Sequence, residues 1–288
     1  MLLAASFFWG TTFVAQILGM EGLGPYTYAV FRFALGVIFM GGLWFLYRGK
    51  RAAERRAGTF RSGFRAGIPV GVAMFAGVTL QQVALLYTTA GKTAFITTLY
   101  IVLVPLAAVA LGHRIRMAQW ISAVLAFAGV YFLSAYGEMT INKGDVLVFI
   151  CSLFWMAQIL LIDRFARTVD AIELCLTEMI VCMFGSAALA AAYESFAWTD
   201  VWSAAIPILY AGVFSCGVAY TCQILGQAYV EPTQASILLS LEAVFAAVTG
   251  WIVLGETMTA VQILGCGLLL GGALMTQIPK RTGKRRKN

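Results

Sequence analysis

The chain has 288 residues, of which 61% are apolar and only 11% charged, and its mean hydropathy is +0.85. A water-soluble domain is roughly a quarter charged and about half apolar, so this composition excludes a soluble globule, and with it disorder, collagen and coiled coil. The formal net charge of +7 does not point to nucleic acid, because thirteen of the twenty Lys and Arg residues stand in two runs, 48–65 and 280–287, each directly after an apolar stretch, as juxtamembrane loops do.

Apolar segments of membrane-spanning length recur along the whole chain. The first, 2–19, starts without a basic leader region or a small-residue cleavage site and reads as a retained span. The second, 26–47, follows Pro25 and carries Arg32. The basic run at 48–65 holds Arg48, Lys50, Arg51, Arg55, Arg56, Arg61 and Arg65. The third segment, 66–87, carries Gln81 and Gln82, and at its start Gly63, Gly67 and Gly71 give a small-residue face suited to close helix packing. Lys92 opens the fourth, 93–111, where it is expected to snorkel to the interface. Pro105 is expected to kink this helix, since its ring frees a backbone carbonyl.

The fifth segment, 118–136, ends a first half at 1–136, and a short connection at 137–144 leads into a second half at 145–279. That half has segments at 145–162, 171–193, 204–229, 233–254 and 260–278, and it ends in the basic tail 280–288. The six cysteines all lie in apolar stretches with no CxxC pair and only His113 as a candidate imidazole, so they read as packed thiols and no metal or cofactor is expected. Gly267 and Gly271 on the last segment suit either an internal seam or a homodimer.

Ten spans place both termini on one side. With that side cytoplasmic, seventeen Lys and Arg residues fall inside and two, Lys92 and Lys143, outside, an asymmetry that predicts N and C termini in the cytoplasm. The chain also matches itself. SFFWG at 6–10 resembles SLFWM at 152–156, an offset of 146, and GHRIRMAQ at 112–119 resembles GETMTAVQ at 255–262, with Gly129 opposite Gly272. Five helices per half is an odd number, so the halves enter the membrane in opposite senses. The expected fold is an all-α integral membrane protein of ten transmembrane helices in two inverted five-helix repeats, an arrangement that puts a binding site between the halves and permits alternating access.

The opening SFFWGTTFVA, the stretch TTAGKTAFITTLYIVLVPLAA at 88–108 and the closing LSLEAVFAAVTGWIVLGETMTAVQILGCGLLLGGA at 239–273 resemble EamA-type permeases of the drug/metabolite transporter superfamily. The resemblance covers essentially the whole chain. It implies a ten-helix bacterial inner-membrane carrier with a central cavity, among relatives that export amino acids and other metabolites. One departure is His113, which stands where the second half has Glu256.

Arg32, Glu178 and Glu242 are the ionisable residues expected well inside spans, where a charge costs about 2.5 to 3.5 kcal/mol even on insertion scales. At offset 146 Arg32 falls opposite Glu178, close enough for an ion pair if their helices adjoin. Two readings of the pair stand side by side: a substrate site, with Arg32 on a carboxylate and Glu178 on an amine or proton, and a structural pin between the repeats. Glu242 reads as a packing carboxyl or a proton-coupling acid. Trp9, Trp155, Tyr100, Gln81, Gln82 and Gln158 supply aromatic and amide groups that suit a small amphipathic metabolite. No Walker loop and no catalytic constellation accompany them. The sequence therefore reads as a secondary active transporter, an exporter of small organic metabolites such as amino acids, with a proton as candidate coupling ion. The competing classes are a structural or assembly protein without a transport path and a membrane-embedded enzyme.

Overall fold

The computed structural model describes residues 1–84, 86–88, 90–134, 141–253, 255 and 257–277; the basic tail, Glu256 and the first half of the 137–144 connection lie outside them. Helices α1 (Leu2–Gly19) and α2 (Pro25–Leu46) precede a short charged helix, α3 (Arg48–Arg56), within the expected basic loop. There follow α4 (Phe64–Ala84), a broken span of α5 (Ala90–Thr97) and α6 (Tyr100–Ala110), and α7 (Met117–Ser134). The second half runs α8 (Lys143–Phe165), α9 (Ala171–Tyr193) and a short α10 (Trp198–Ser203). Next comes a span of α11 (Ala205–Tyr210), a π-helical stretch Ala211–Ala219 and α12 (Tyr220–Gln227). A second broken span, α13 (Pro232–Leu239) and α14 (Glu242–Val253), leads to α15 (Ala260–Thr276). Among the described residues nine spans of 18 residues or more are apolar enough to cross a membrane, and α15, with 17, is a tenth apolar helix.

Local chemistry sets the helix starts. Pro25 and Pro232 open α2 and α13, where a missing N–H costs nothing. Asn142 with Asp145 and Thr259 with Gln262 form reciprocal capping boxes on α8 and α15, and Asp170 accepts the N–H groups of Ile172 and Glu173 at the head of α9.

The fourth span is broken. α6 runs on through Pro105, and the chain breaks earlier, at Thr98–Leu99. There the N–H groups of Leu99, Ile101 and Val102 bond carbonyls three residues back instead of four, and Thr98 Oγ1 donates to Ala94 O at 2.6 Å. A hydroxyl that competes with the backbone ladder loosens a helix, and the tightened turn lies just ahead of the Ile101 carbonyl that the proline ring crowds. The other broken span has no such proline. It breaks at Ser240–Leu241, with Ser240 Oγ donating to Ile237 O at 2.8 Å and the N–H groups of Leu241 and Ala243 again reaching three residues back. Thr98 and Ser240 stand 142 residues apart.

Glycines let the helices touch. A Cβ on Gly129 of α7 would lie 2.7 Å from Gly265 O of α15, and one on Gly272 would lie 2.8 Å from Ser122 O. Moving either contact by 143 residues produces the other. Gly63, Gly67 and Gly71 carry α4 along α9, whereas Gly267 and Gly271 meet nothing within 4 Å.

Polar contacts tie both ends of the bundle. At one end Arg61 and the 168–170 turn exchange backbone hydrogen bonds, Arg51 Nε meets Asp170 Oδ2 at 3.1 Å, and Gln119 Nε2 donates to Glu231 at 2.8 Å. At the other end Glu194 accepts Tyr26 N, Thr27 N and Thr27 Oγ1 at 2.7 to 3.0 Å. Lys92 does not snorkel there. It is buried and meets Asp145 of α8 at 2.9 Å, while Thr88 donates to the other oxygen of that carboxylate; close geometry with a further hydrogen bond is the condition under which a buried ion pair offsets its desolvation.

Candidate transport cavity

Arg32 lies about two turns into α2, with only 5% of its surface exposed. Its guanidinium carbon is 4.8 Å from the Phe33 ring centre and 5.7 Å from that of Tyr28, distances at which an aromatic face stabilises a cation. Its Nε has no hydrogen-bond partner. That side chain helps to line a cavity of about 70 Å³ between α1, α2, α4, α8 and the two broken spans. At roughly 10 to 15 Å³ per water this space holds a few water molecules.

The two breaks deliver side chains to the cavity. Tyr100 and Glu242 are the first residues after their respective breaks, both line it, and the Tyr100 hydroxyl approaches the Glu242 carboxyl. Trp9 and Trp155 come from α1 and α8, the Trp9 ring lying 4.8 Å from the ring of Tyr220. Both indole Nε1 atoms are buried without an acceptor. Buried polar atoms in proteins nearly always have partners, so Trp9 Nε1, Trp155 Nε1 and Arg32 Nε, on three residues that line one space, are exceptions to that rule.

Amides complete the wall. Gln81 donates to Thr97 Oγ1 at 3.0 Å, and Gln158 and Gln223 exchange hydrogen bonds at 3.1 and 3.0 Å. Glu178 is fully buried and does not line the cavity; it accepts from Gln158 at 3.3 Å, and its second oxygen has no partner. No ion pair within 4.0 Å joins it to Arg32. The α9 backbone at Glu178 is pressed against Gly71 of α4, and its carboxyl turns toward α8 while Arg32 turns to the cavity. Gln82 also stands back, donating to Gln16 Oε1 at 3.2 Å, and Gln16 takes a place in the wall.

The structure thus brings Arg32, Glu242, Trp9, Trp155, Tyr100, Gln81 and Gln158 to one space and leaves Glu178 and Gln82 behind it. Sequence reasoning missed Gln16, Thr97, Ser215, Tyr220 and Gln223. The 142-residue offset that relates the two breaks also relates Gln81 to Gln223, so a finer internal match would have exposed that residue. Ser215 enters from the π-helical stretch, whose widened turn leaves no periodic signature in hydropathy.

Comparison with known proteins agrees with this architecture. The EamA-like transporter family model matches residues 1–135 and 142–278. A protein of Archaeoglobus fulgidus named an uncharacterized transporter is 31% identical over 271 residues, spanning 94% of this chain and 82% of its own. A second protein of the same name and organism is 27% identical over 168 residues, 58% of this chain and 59% of its own. A solved structure titled only as the crystal structure of a protein superposes with a TM-score of 0.78 at 18% identity, over 96% of this chain and 94% of that one, which speaks for the fold alone. A multi-pass membrane protein whose helices surround a polar cavity, the chain belongs to the EamA-like transporter family.

Proposed function

We propose that this transporter is a secondary carrier that exports small zwitterionic metabolites such as amino acids across a bacterial inner membrane, with both termini in the cytoplasm. In this reading the chain is two inverted five-helix repeats, and exchange of their conformations exposes the cavity to each side in turn. The observation that carries the reading is the ring of unfulfilled donors, Trp9 Nε1, Trp155 Nε1 and Arg32 Nε, around a cavity that also holds the Glu242 carboxyl. Arg32 and the indoles take the carboxylate of the guest, the aromatic faces take its apolar body, and Glu242 with Tyr100 takes its amine or the coupling proton. Glu178 supports the wall by holding Gln158 in register with Gln223. Matched contacts such as Gly129 on Gly265 and Gly272 on Ser122 support the two-fold relation, because an axis in the membrane plane turns each into the other.

The test begins with thermal unfolding of purified protein in the presence of amino acids, sugar phosphates, nucleosides and cationic drugs, since a guest that binds only the folded state raises its stability. The expected result is a shift with a carboxylate-bearing zwitterion that falls at least ~10-fold in apparent affinity, about 1.4 kcal/mol, in Arg32→Ala. The same compound should show counterflow in proteoliposomes. Counterflow that survives in Arg32→Ala and Trp155→Phe at unchanged rate would remove the cavity from the transport path.

A further inference from the structure

A second cavity lies at the end of the bundle that carries the basic run, and it shares no lining residue with the first. Its volume is about 560 Å³, and its floor is apolar, including Leu43, Phe60, Ala166 and Leu225. Its other lining residues are of a different kind. Lys50 and Arg51 come from α3, Arg167 from the turn after α8, and Tyr47 and Tyr229 flank them with half or more of their surfaces exposed. Two carboxylates also belong to this cavity, and both face a cation. Asp170 meets Arg51 at 3.1 Å and Glu54 meets Lys50 at 4.0 Å. Arg167 is exposed and makes no ion pair within 4.0 Å, Asp163 standing half-buried one turn before it. Arg51 is 7% exposed, its Nη2 donates to Trp44 O at 2.7 Å, and its Nη1 has no partner.

We propose that this cavity binds one anionic phospholipid of the adjoining leaflet, its phosphate against Arg167, Lys50 and Arg51 and an acyl chain along the apolar floor. Charge complementarity singles out this occupant: Lys50, Arg51 and Arg167 outnumber Glu54 and Asp170 by one positive charge, which a phosphate without a cationic group of its own offsets, whereas a zwitterionic headgroup brings its own cation. Depth agrees with it. α2 ends at Leu46, and Tyr47 and Tyr229 mark the level at which a span meets the headgroups. The site belongs to one leaflet only. At the 146-residue offset, Lys50, Arg51 and Arg167 correspond to Phe196, Ala197 and Glu21, so the pseudo-equivalent place at the opposite end lacks all three cations.

The experiment titrates the purified full chain in detergent with phosphatidylglycerol, with phosphatidylcholine of identical acyl chains, and with inorganic phosphate. Unfolding temperature and lipid retained in native mass spectrometry are the two readouts. Phosphatidylglycerol is expected to raise the unfolding temperature and to stay bound one per chain, and the other two additives to do neither. Lys50→Gln with Arg167→Gln, both on exposed side chains, should abolish the two effects while leaving the lipid-free unfolding temperature unchanged, and Arg167→Lys should keep them. Equal retention of phosphatidylcholine would overturn the assignment, as would persistence of the phosphatidylglycerol effect in the double variant. A shift by inorganic phosphate alone would replace the lipid by a free anion. None of these outcomes depends on transport through the central cavity.

Discussion

Glu173 shows what a carboxylate needs in order to sit at the membrane end of a helix bundle. Only 2% of its surface is exposed, yet it accepts Gly63 N at 3.0 Å, Ser62 Oγ at 2.9 Å and Trp44 Nε1 at 3.3 Å, so it joins the heads of α4 and α9 to the tail of α2. Truncation leaves those donors behind with no water to take the place of the carboxylate. Glu173→Ala is therefore expected to cost about 2 to 3 kcal/mol, seen as a fall in unfolding temperature in detergent, whereas Glu173→Gln, which keeps one acceptor oxygen, should cost less than half as much. Equal losses in the two variants would mean that packing, not hydrogen bonding, holds this corner. Arg32 makes the complementary point: the rings of Phe33 and Tyr28 stabilise its charge without taking up its Nε donor.

At the scale of elements, the seam between α7 and α15 depends on the absence of side chains. Gly129→Ala places a methyl group 2.7 Å from the backbone of α15 at Gly265 O and Leu269 N, which cannot yield as a flexible side chain does. A loss of about 2 kcal/mol or more is expected. Gly271→Ala on the open face of α15 should be neutral or stabilise by up to about 1 kcal/mol, since helical glycine pays an entropy that alanine does not. Thermal unfolding of the two variants side by side checks both signs. The apolar segments were legible in the sequence because lipid demands length and hydropathy, which composition records directly. The breaks at Thr98 and Ser240 were not, because a threonine or serine within an apolar run is compatible with an intact helix as well as a broken one. The partner of Arg32 was misplaced for a related reason. An offset of 146 sets the depth of Glu178 but not its rotation, and rotation decides whether a carboxyl faces an arginine or a glutamine.

At the scale of the molecule, each broken span has one half-helix whose last residue, Thr97 of α5 or Leu239 of α13, lines the cavity. α5 is held against α8 by Lys92 and Asp145, and α13 is held against α7 through Glu231 and Gln119, at the opposite end of the bundle. Both half-helices stop at a turn where a hydroxyl competes with the backbone, which is where a hinge absorbs rotation at least cost. If the halves exchange conformations, loosening one latch must favour opening at that end and disfavour it at the other, because one population is drawn from the other. Ser215 lines the cavity and offers a reporter site: Ser215→Cys in a chain without its native thiols can be titrated with a membrane-impermeant reagent in vesicles of either orientation. Lys92→Met should speed modification from the side of α5 and slow it from the side of α13, and Glu231→Leu should do the reverse. A preference of only ~1.4 kcal/mol released by a broken latch already changes the ratio of the two states about tenfold, within reach of such rates. Faster modification from both sides in either variant would describe a leak through a loosened bundle, and the alternating carrier would have to be given up.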